Sequence, residues 1–301
     1  MILVRYHDVL SFSVTRRVTM KTLAGLLCLV CLQVQAITIS TINTEWLWDY
    51  KEPHEGQVVG YEYDDIYPPT RKEYEMEVFA LAQVIKAIDA DVVGLIEVEG
   101  RHVVEDIAAY LPEWNVVFVE GRDTFTKQDV AILTRFSVIE GTASNLPEFK
   151  GTSSVTKKPV QPSKVLAVGL KDERKNYYVV VAHLSSKRNN SEEKDAKRAA
   201  QAEAIRKAVV TNWSSYDHVI VMGDMNDLPD SKPLKTLLGE FDDGDKLVQV
   251  ATDENYSYIY RKKKQLIDHI LVDIGLSNAE FKNMDLPKSI SDHRISTLIV
   301  K

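Results

Sequence analysis

Three stretches of the sequence set imidazoles and carboxylates directly against runs of β-branched and aliphatic residues. They are VVVAHLSS at 179–186, VIVMGDMND at 219–227, and the pair LIDHILV at 266–272 and ISDHR at 290–294. A polar group at the margin of a buried strand is costly unless it finds a partner. One such group has an ordinary structural explanation. His183, Asp224, Asn226, Asp268, Asp292 and His293 together imply an assembled site, and the chemistry that donor set suits is cation-assisted phosphoester hydrolysis.

Each stretch also has a plainer reading. Asp224 and Asn226 lie two apart, so an extended chain would project both to one face, where they could position a water or a phosphate oxygen. The same Gly-Asp-x-Asn composition suits an Asx turn that closes a strand. His183 could be a core histidine bonded to a backbone carbonyl, although the polar SSKRNNSEEKD that follows suits a site rim. Asp292 and His293 are adjacent, so on a strand they would face opposite ways and His293 needs another partner. Asp268 is the candidate; a His–Asp pair fixes the tautomer and raises the basicity of an imidazole. Asp292 is then left for a metal. Asn43, ending ITISTIN, and Glu97, ending DVVGLIE, complete an oxygen-rich set. Such ligands favour Mg²⁺, Mn²⁺ or Ca²⁺ over zinc.

These residues must be carried by a framework, and its elements are visible in the pattern. Strands are predicted at 37–44, through DVVGLIEVE, at NVVFVE, at 129–134, in HVIVMGD and in the final ISTLIV. KVLAVGL and NYYVVVAHL read as a hairpin turning at Asp172-Glu173-Arg174. Val78, Leu81, Ile85 and Ile88 repeat at helical spacing over 73–88. Further helices are expected around 102–110 and 193–210, the latter with Ala202, Ile205 and Val209 on one face and Arg198 in a surface ion pair. YSYIY and QLIDHILV should flank a turn at RKKK. Residues 49–72 read as a long surface loop. Strands alternating with few helices point to a mixed-sheet α/β or α+β sandwich. Neither GxGxxG nor GxxxxGK[ST] occurs, which excludes nucleotide binding through those loops.

The N-terminus has the three parts of a secretory signal: Met20-Lys21, the apolar LAGLLCLVCL, and Val34-Gln35-Ala36 as a cleavage point. The apolar run is short for a membrane span. Residues 1–36 are therefore read as an extension plus signal peptide with Met20 as the start, and 37–301 as one domain, secreted or periplasmic. Cys28 and Cys31 both fall in the signal, leaving the rest without disulfides or cysteine zinc ligands. The net charge is −7 overall, and removing Arg5, Arg16, Arg17, Lys21 and Asp8 with the signal takes it to −10. This argues against bulk electrostatic binding of nucleic acid, but not against a few local cations meeting phosphates. Arg261, Lys262, Lys263 and Lys264 are such a group, as a phosphate contact or as a solvated turn.

The order Asn43, Glu97, HLSS, GDMND, LIDHILV and SDH resembles the endonuclease/exonuclease/phosphatase superfamily across residues 37–301. That superfamily includes deoxyribonuclease I, exonuclease III, bacterial sphingomyelinases and inositol polyphosphate 5-phosphatases. The resemblance implies a four-layer sandwich of two mixed β-sheets flanked by helices, and phosphoester hydrolysis with a divalent cation, Mg²⁺ or Mn²⁺ ahead of Ca²⁺. By motif, Asn43 and Glu97 would cradle the cation with Asp292 joining. His293 with Asp268 would activate water, and Asp224 and Asn226 would position nucleophile and phosphate. His183 would stabilise the transition state or protonate the leaving oxygen.

Departures from the superfamily pattern narrow the choice. Abasic-site endonucleases carry an aromatic residue where His183 stands. The phosphatase branch has an Arg after GDxN and a Cys-Asp-Arg around the later Asp, where this chain reads NDLPDSK and LIDHI. The expectation is an exported nuclease acting on DNA and in second place RNA, with Arg261, Lys262 and Lys263 touching the substrate and no stable protein partner. A sphingomyelinase-like phospholipid hydrolase would instead need exposed rings among Trp46, Trp48, Tyr61 and Tyr63. A non-catalytic binding protein would have no need of the buried polar set.

Overall fold

The structure is a computed structural model that describes residues 36–51, 69–123, 126–187 and 191–301. The signal segment and most of the 49–72 stretch, with Tyr61 and Tyr63, lie outside the described residues. In chain order the elements are β1 (Ile37–Leu47), α1 (Arg71–Ile88), β2 (Val92–Val98), α2 (Arg101–Ala108), β3 (Asn115–Val117), β4 (Asp129–Thr134) and β5 (Ser137–Val138). There follow β6 (Gly151–Thr152), β7 (Pro159–Val160), β8 (Lys164–Lys171), β9 (Asn176–His183), α3 (Glu192–Asn212), β10 (His218–Asp224) and α4 (Lys232–Leu238). The last are β11 (Leu247–Gln249), β12 (Tyr258–Tyr260), β13 (Lys263–Gln265), β14 (Asp268–Asp273), β15 (Ala279–Met284) and β16 (Ile295–Val300).

Two six-stranded mixed sheets form, ordered β15-β16-β1-β2-β4-β3 and β11-β14-β10-β9-β8-β5. The central strands β2, β4, β8, β9, β10 and β14 are buried on both faces and read as near-continuous apolar runs because both faces are covered. Ile39, Val92, Ile132, Leu166, Val181, Met222 and Ile270 fill the layer between the sheets. Leu81, Ile85, Val103 and Ile107 of α1 and α2 pack with Val93 and Leu95 of the first sheet. Ala202, Ile205 and Leu234 of α3 and α4 pack with Val180 and Val221 of the second. The result is the four-layer sandwich: helices, sheet, sheet, helices.

Local chemistry sets several boundaries. α1 begins two residues before the periodicity suggests, because Thr70 and Glu73 form a capping box, each side chain bonding the other's backbone N–H. The apolar repeat marks only the buried stripe and is blind to the cap. At Gly223, φ is +129°, and a Cβ there would lie 2.1 Å from the Ala182 carbonyl oxygen. Glycine thus lets β9 and β10 run close just before Asp224.

Two expectations need correction. LIDHILV is not the arm of the RKKK turn: Lys263–Gln265 pairs with Tyr258–Tyr260 as an independent hairpin, and β14 starts afresh at Asp268 to pair with β10. Arg198 is not on the helix surface. It is fully buried and holds Asp227 at 3.1 Å, Asp195, and the carbonyls of Ser185 and Ser186. The charged residues around it in the sequence hide this, since only position in the fold shows that its side of α3 faces a loop rather than water.

Candidate active site

The site is the polar end of the inter-sheet layer. Side chains alternate between faces along a strand, so the face carrying Val179 and Val181 of β9 continues to His183. The face of Ile220 and Met222 in β10 continues to Asp224, and that of Val272 and Ile270 in β14 continues to Asp268. β10 is parallel to β9 and antiparallel to β14, with Asp224 opposite Asp268, so all three groups reach the same edge. From the facing sheet Ile39 leads on to Asn43, which pairs in register with Ile96.

Glu97 enters by a different device. The register of β2 against β4 jumps between Ile96 and Val98, and that of β1 against β2 jumps between Asn43 and Leu47. These are bulges, which re-aim a side chain. Glu97 has φ +66°, Glu45 +46° and Trp46 +69°, and Asn226 across the site has +50°. A non-glycine residue in this region costs of order 1–3 kcal/mol, and four such residues gather around the polar edge. Thr44 Oγ1 donates to the carbonyls of Ile96 and Glu97 at 2.9 and 3.1 Å, holding the bulges together.

The resulting contacts are close. Asn43 Nδ2 donates to Glu97 Oε1 at 3.3 Å and to Asp224 Oδ2 at 3.2 Å. His183 Nε2 lies 3.7 Å from those same two oxygens. His293 Nδ1 and Asp268 Oδ2 are 2.7 Å apart. Asn226 uses its backbone N–H to bond Asp224 Oδ1 at 2.7 Å and its carboxamide nitrogen to bond the Leu184 carbonyl at 3.0 Å. The chain therefore turns there and does not continue extended, so the Asx-turn reading and the site reading describe the same residues. Asp292 sits half-exposed at the rim, 3.7 Å from His293 Nε2, in a bend and not on a strand.

Burial dominates the electrostatics. It raises Glu97 and Asp224 above the usual carboxylate range, Asp224 also through the neighbouring Asp268. His183 is lowered well below its ordinary value, first by burial and then by Lys164 and His293, which makes it a neutral imidazole. For His293 burial acts downward but Asp268, with Asp224 and Asp292, outweighs it and lifts the imidazole to about 10. Among the described residues, His183 Nδ1 and Asp268 Oδ1 are buried without a hydrogen-bond partner. Glu97, His183 and Asp224 bring ligand atoms within 4.8 Å of one another, and so do Asp224, Asp268 and His293. Buried carboxylates that resist ionisation, converging with a neutral imidazole and an Asn carboxamide, fit a divalent cation.

Three neighbours were not legible as site residues. Glu45 accepts the Asp292 backbone N–H at 2.7 Å and is raised by burial and by Asp292; a left-handed residue after Asn43 breaks the alternation that would have marked it. Lys164 is the register partner of His183 and a buried neighbour of the cluster. Ser257 is fully buried, and its Oγ accepts from the backbone N–H groups of Ile267 and Asp268, both at 3.0 Å. Ser257 roots the β12–β13 hairpin, whose Tyr258 ring lies 4.7 Å from the His293 ring. Arg261 and Lys262, with φ +47° and +67°, form its two-residue turn, and they and Lys263 are exposed. Glu99 belongs to a separate cluster with Asp49 and His102. Trp48 is buried and stacks on Trp46 at 5.8 Å.

The sequence matches the model of the Endonuclease/Exonuclease/phosphatase family over residues 38–292. The chain belongs to that family. It is accordingly a hydrolase of phosphoester bonds that depends on a divalent metal. Solved structures of the family's fold resemble it at low identity. An endonuclease/exonuclease/phosphatase protein from Bacteroides vulgatus is 17% identical, with a TM-score of 0.60 over 88% of this chain and 98% of that one. Truncated Caenorhabditis elegans TDP2 is 13% identical, with a TM-score of 0.58 over 88% and 98%. The human Nocturnin catalytic domain with bound sulfate anion is 14% identical, with a TM-score of 0.58 over 88% and 94%. No curated protein sequence matches at a significant level.

Proposed function

We propose that the protein is an exported, divalent-cation-dependent nuclease that hydrolyses DNA, with RNA as the second substrate. The observation that carries the nucleic-acid reading is the hairpin of β12 and β13. On a chain of net charge −7 it raises Arg261, Lys262, Lys263 and Lys264, all exposed, from a base packed on His293. A strand rises about 3.3 Å per residue, so its tip reaches about 10 Å beyond Tyr258. Phosphates that far from the scissile bond exist in a polynucleotide and not in a small diester. The burial of Trp48 removes one of the rings a lipid-surface reading would use.

In this reading Asp268 fixes the tautomer of His293, whose Nε2 then takes the proton of the attacking water. Asn226 holds Asp224 in place, and Asp224 orients the water and a phosphate oxygen. Neutral His183 donates a hydrogen bond to the phosphate or the leaving oxygen without adding charge. Asn43 and Glu97 would hold the cation, with Asp224 in reach and Asp292 at the rim. When bound, Mg²⁺ or Mn²⁺ would offset charge developing on the phosphate and on the carboxylates that otherwise keep His293 protonated.

The test uses protein beginning at Ile37 with plasmid, single-stranded DNA and RNA, in Mg²⁺, Mn²⁺, Ca²⁺ or EDTA. Metal-dependent cleavage, lost in His183→Ala and His293→Ala, is the expected result. A second reading, phospholipid hydrolysis, draws on exposed Ile259 and Tyr260 beside the same cations. Sphingomyelin vesicles form its arm, and turnover there without cleavage of any nucleic acid would replace the nuclease reading.

A further inference from the structure

Lys164 occupies a position that an apolar residue would fill at lower cost. The inter-sheet face of β8 runs Leu170, Leu166 and Val168, and alternation brings Lys164 to the same face at its end. It is the cross-strand partner of His183, so the two side chains stand side by side. Only 11% of the side chain is exposed, and its Nζ meets Asp123 Oδ2 at 3.1 Å. Burying an ammonium group is expensive even when it is paired.

The loop bearing Asp123 is firmly anchored. Arg122 donates its backbone N–H to the Ser163 carbonyl at 2.7 Å, and its guanidinium bonds the carbonyls of Asn145 and Pro162 and the Asn145 side chain. Gly121 donates to Asp129 at 3.0 Å. Asp123 thus holds Lys164 beside His183 at the polar edge of the inter-sheet layer. The lysine charge reaches both groups: it adds to the burial that lowers His183, and it partly offsets the burial that raises Glu97. The imidazolium of His293 is engaged by Asp268.

A phosphate entering this acidic edge is repelled by its carboxylates, and a fixed protein cation beside His183 offsets that repulsion. We propose that Lys164, positioned by Asp123, binds a non-bridging oxygen of the substrate phosphate and of the phosphate-bearing product. An ammonium has three N–H donors, so the Asp123 contact leaves donors for the ligand. The assignment rests on the phosphoester-hydrolase reading and is the same for a nucleic acid or a lipid diester.

The experiment follows hydrolysis of bis(p-nitrophenyl) phosphate in Mn²⁺ and, separately, binding of orthophosphate by calorimetry with Mg²⁺. In Lys164→Met, the KM and the orthophosphate Kd should rise together by about 10- to 100-fold, the scale of one charge-assisted hydrogen bond. Lys164→Arg should restore most of the loss, and Asp123→Asn should give an intermediate one. A folded Lys164→Met protein with unchanged orthophosphate Kd would overturn the proposal. If that variant does not fold, Asp123→Asn decides: unchanged affinity overturns it, weakened affinity supports it. Failure of wild-type protein to hydrolyse any diester would count against the hydrolase reading alone, because orthophosphate binding is read without turnover.

Discussion

A His–Asp pair stands at each of the two ends of the β10–β14 pairing, and the pairs differ in a telling way. His218 and Asp273 form one; Asp268, with His293 from the bend before β16, forms the other. At one end His218 Nδ1 lies 3.2 Å from Asp273 Oδ2, while the backbone N–H groups of Val219 and Gly275 bond the two Asp273 oxygens at 2.8 and 2.7 Å. Burial raises Asp273, but His218 and those amides outweigh it and hold the carboxylate below its ordinary value. At the other end Asp268 Oδ2 accepts from His293, Oδ1 has no hydrogen-bond partner among the described residues, and the buried carboxylate of Asp224 stands close by. The same two residue types thus make a satisfied strand terminus and an unsatisfied one. A pair built for stability closes all its bonds; a pair left short of partners at the polar edge has somewhere else to direct them.

The sharpest break in the comparison is exchange of the imidazoles. His293→Ala should lower kcat by about 10²–10⁴-fold, the usual contribution of a positioned acid or base, while His218→Gln should leave it within about twofold. Equal losses in both would end the distinction. Asp268→Asn should cost about 10²-fold in kcat by the same tautomer argument, without lowering the urea midpoint. Asp273→Asn should do the reverse, costing about 1–3 kcal/mol of stability through orphaned amides with kcat/KM intact.

Binding of Mn²⁺ or Mg²⁺ should raise the Tm of wild-type protein, by linkage, and equally that of His218→Gln. The rise should shrink in Asp224→Asn. The smallest effect concerns acid. Asp273 is depressed in the fold, so its stabilisation is present above the unfolded value near 3.9 and is lost as pH falls through the lower folded value. Urea titrations below pH 4 should show this slope in wild-type protein and a flatter one in Asp273→Asn.

The sequence reveals some parts of this molecule better than others, for physical reasons. Strands buried on both faces must be apolar throughout, so the polar residue that ends each run, His183, Asp224 or Asn43, stands out. The mixed sheets and outer helices follow from the same runs. Where the chain leaves that period the signal fails. Glu45 lies in a bulge, Lys164 stands first in the predicted strand KVLAVGL where a lysine reads as a solvated strand end, and Arg198 is masked by the charged first turns of α3. The hairpin at 258–265 merges in sequence with the strand that follows it, because nothing in QLIDHILV marks where one pairing partner is exchanged for another.

The buried guanidinium of Arg198 has a dynamic consequence. It ties α3 at once to the Ser185 and Ser186 carbonyls after His183 and to Asp227 after Asn226. Either segment can swing outward only by stranding a charge in the interior. The amides of 184–187 and 225–228 should therefore exchange with deuterium as one cooperative unit together with the first turns of α3. The two segments flanking the polar edge would then open together or not at all.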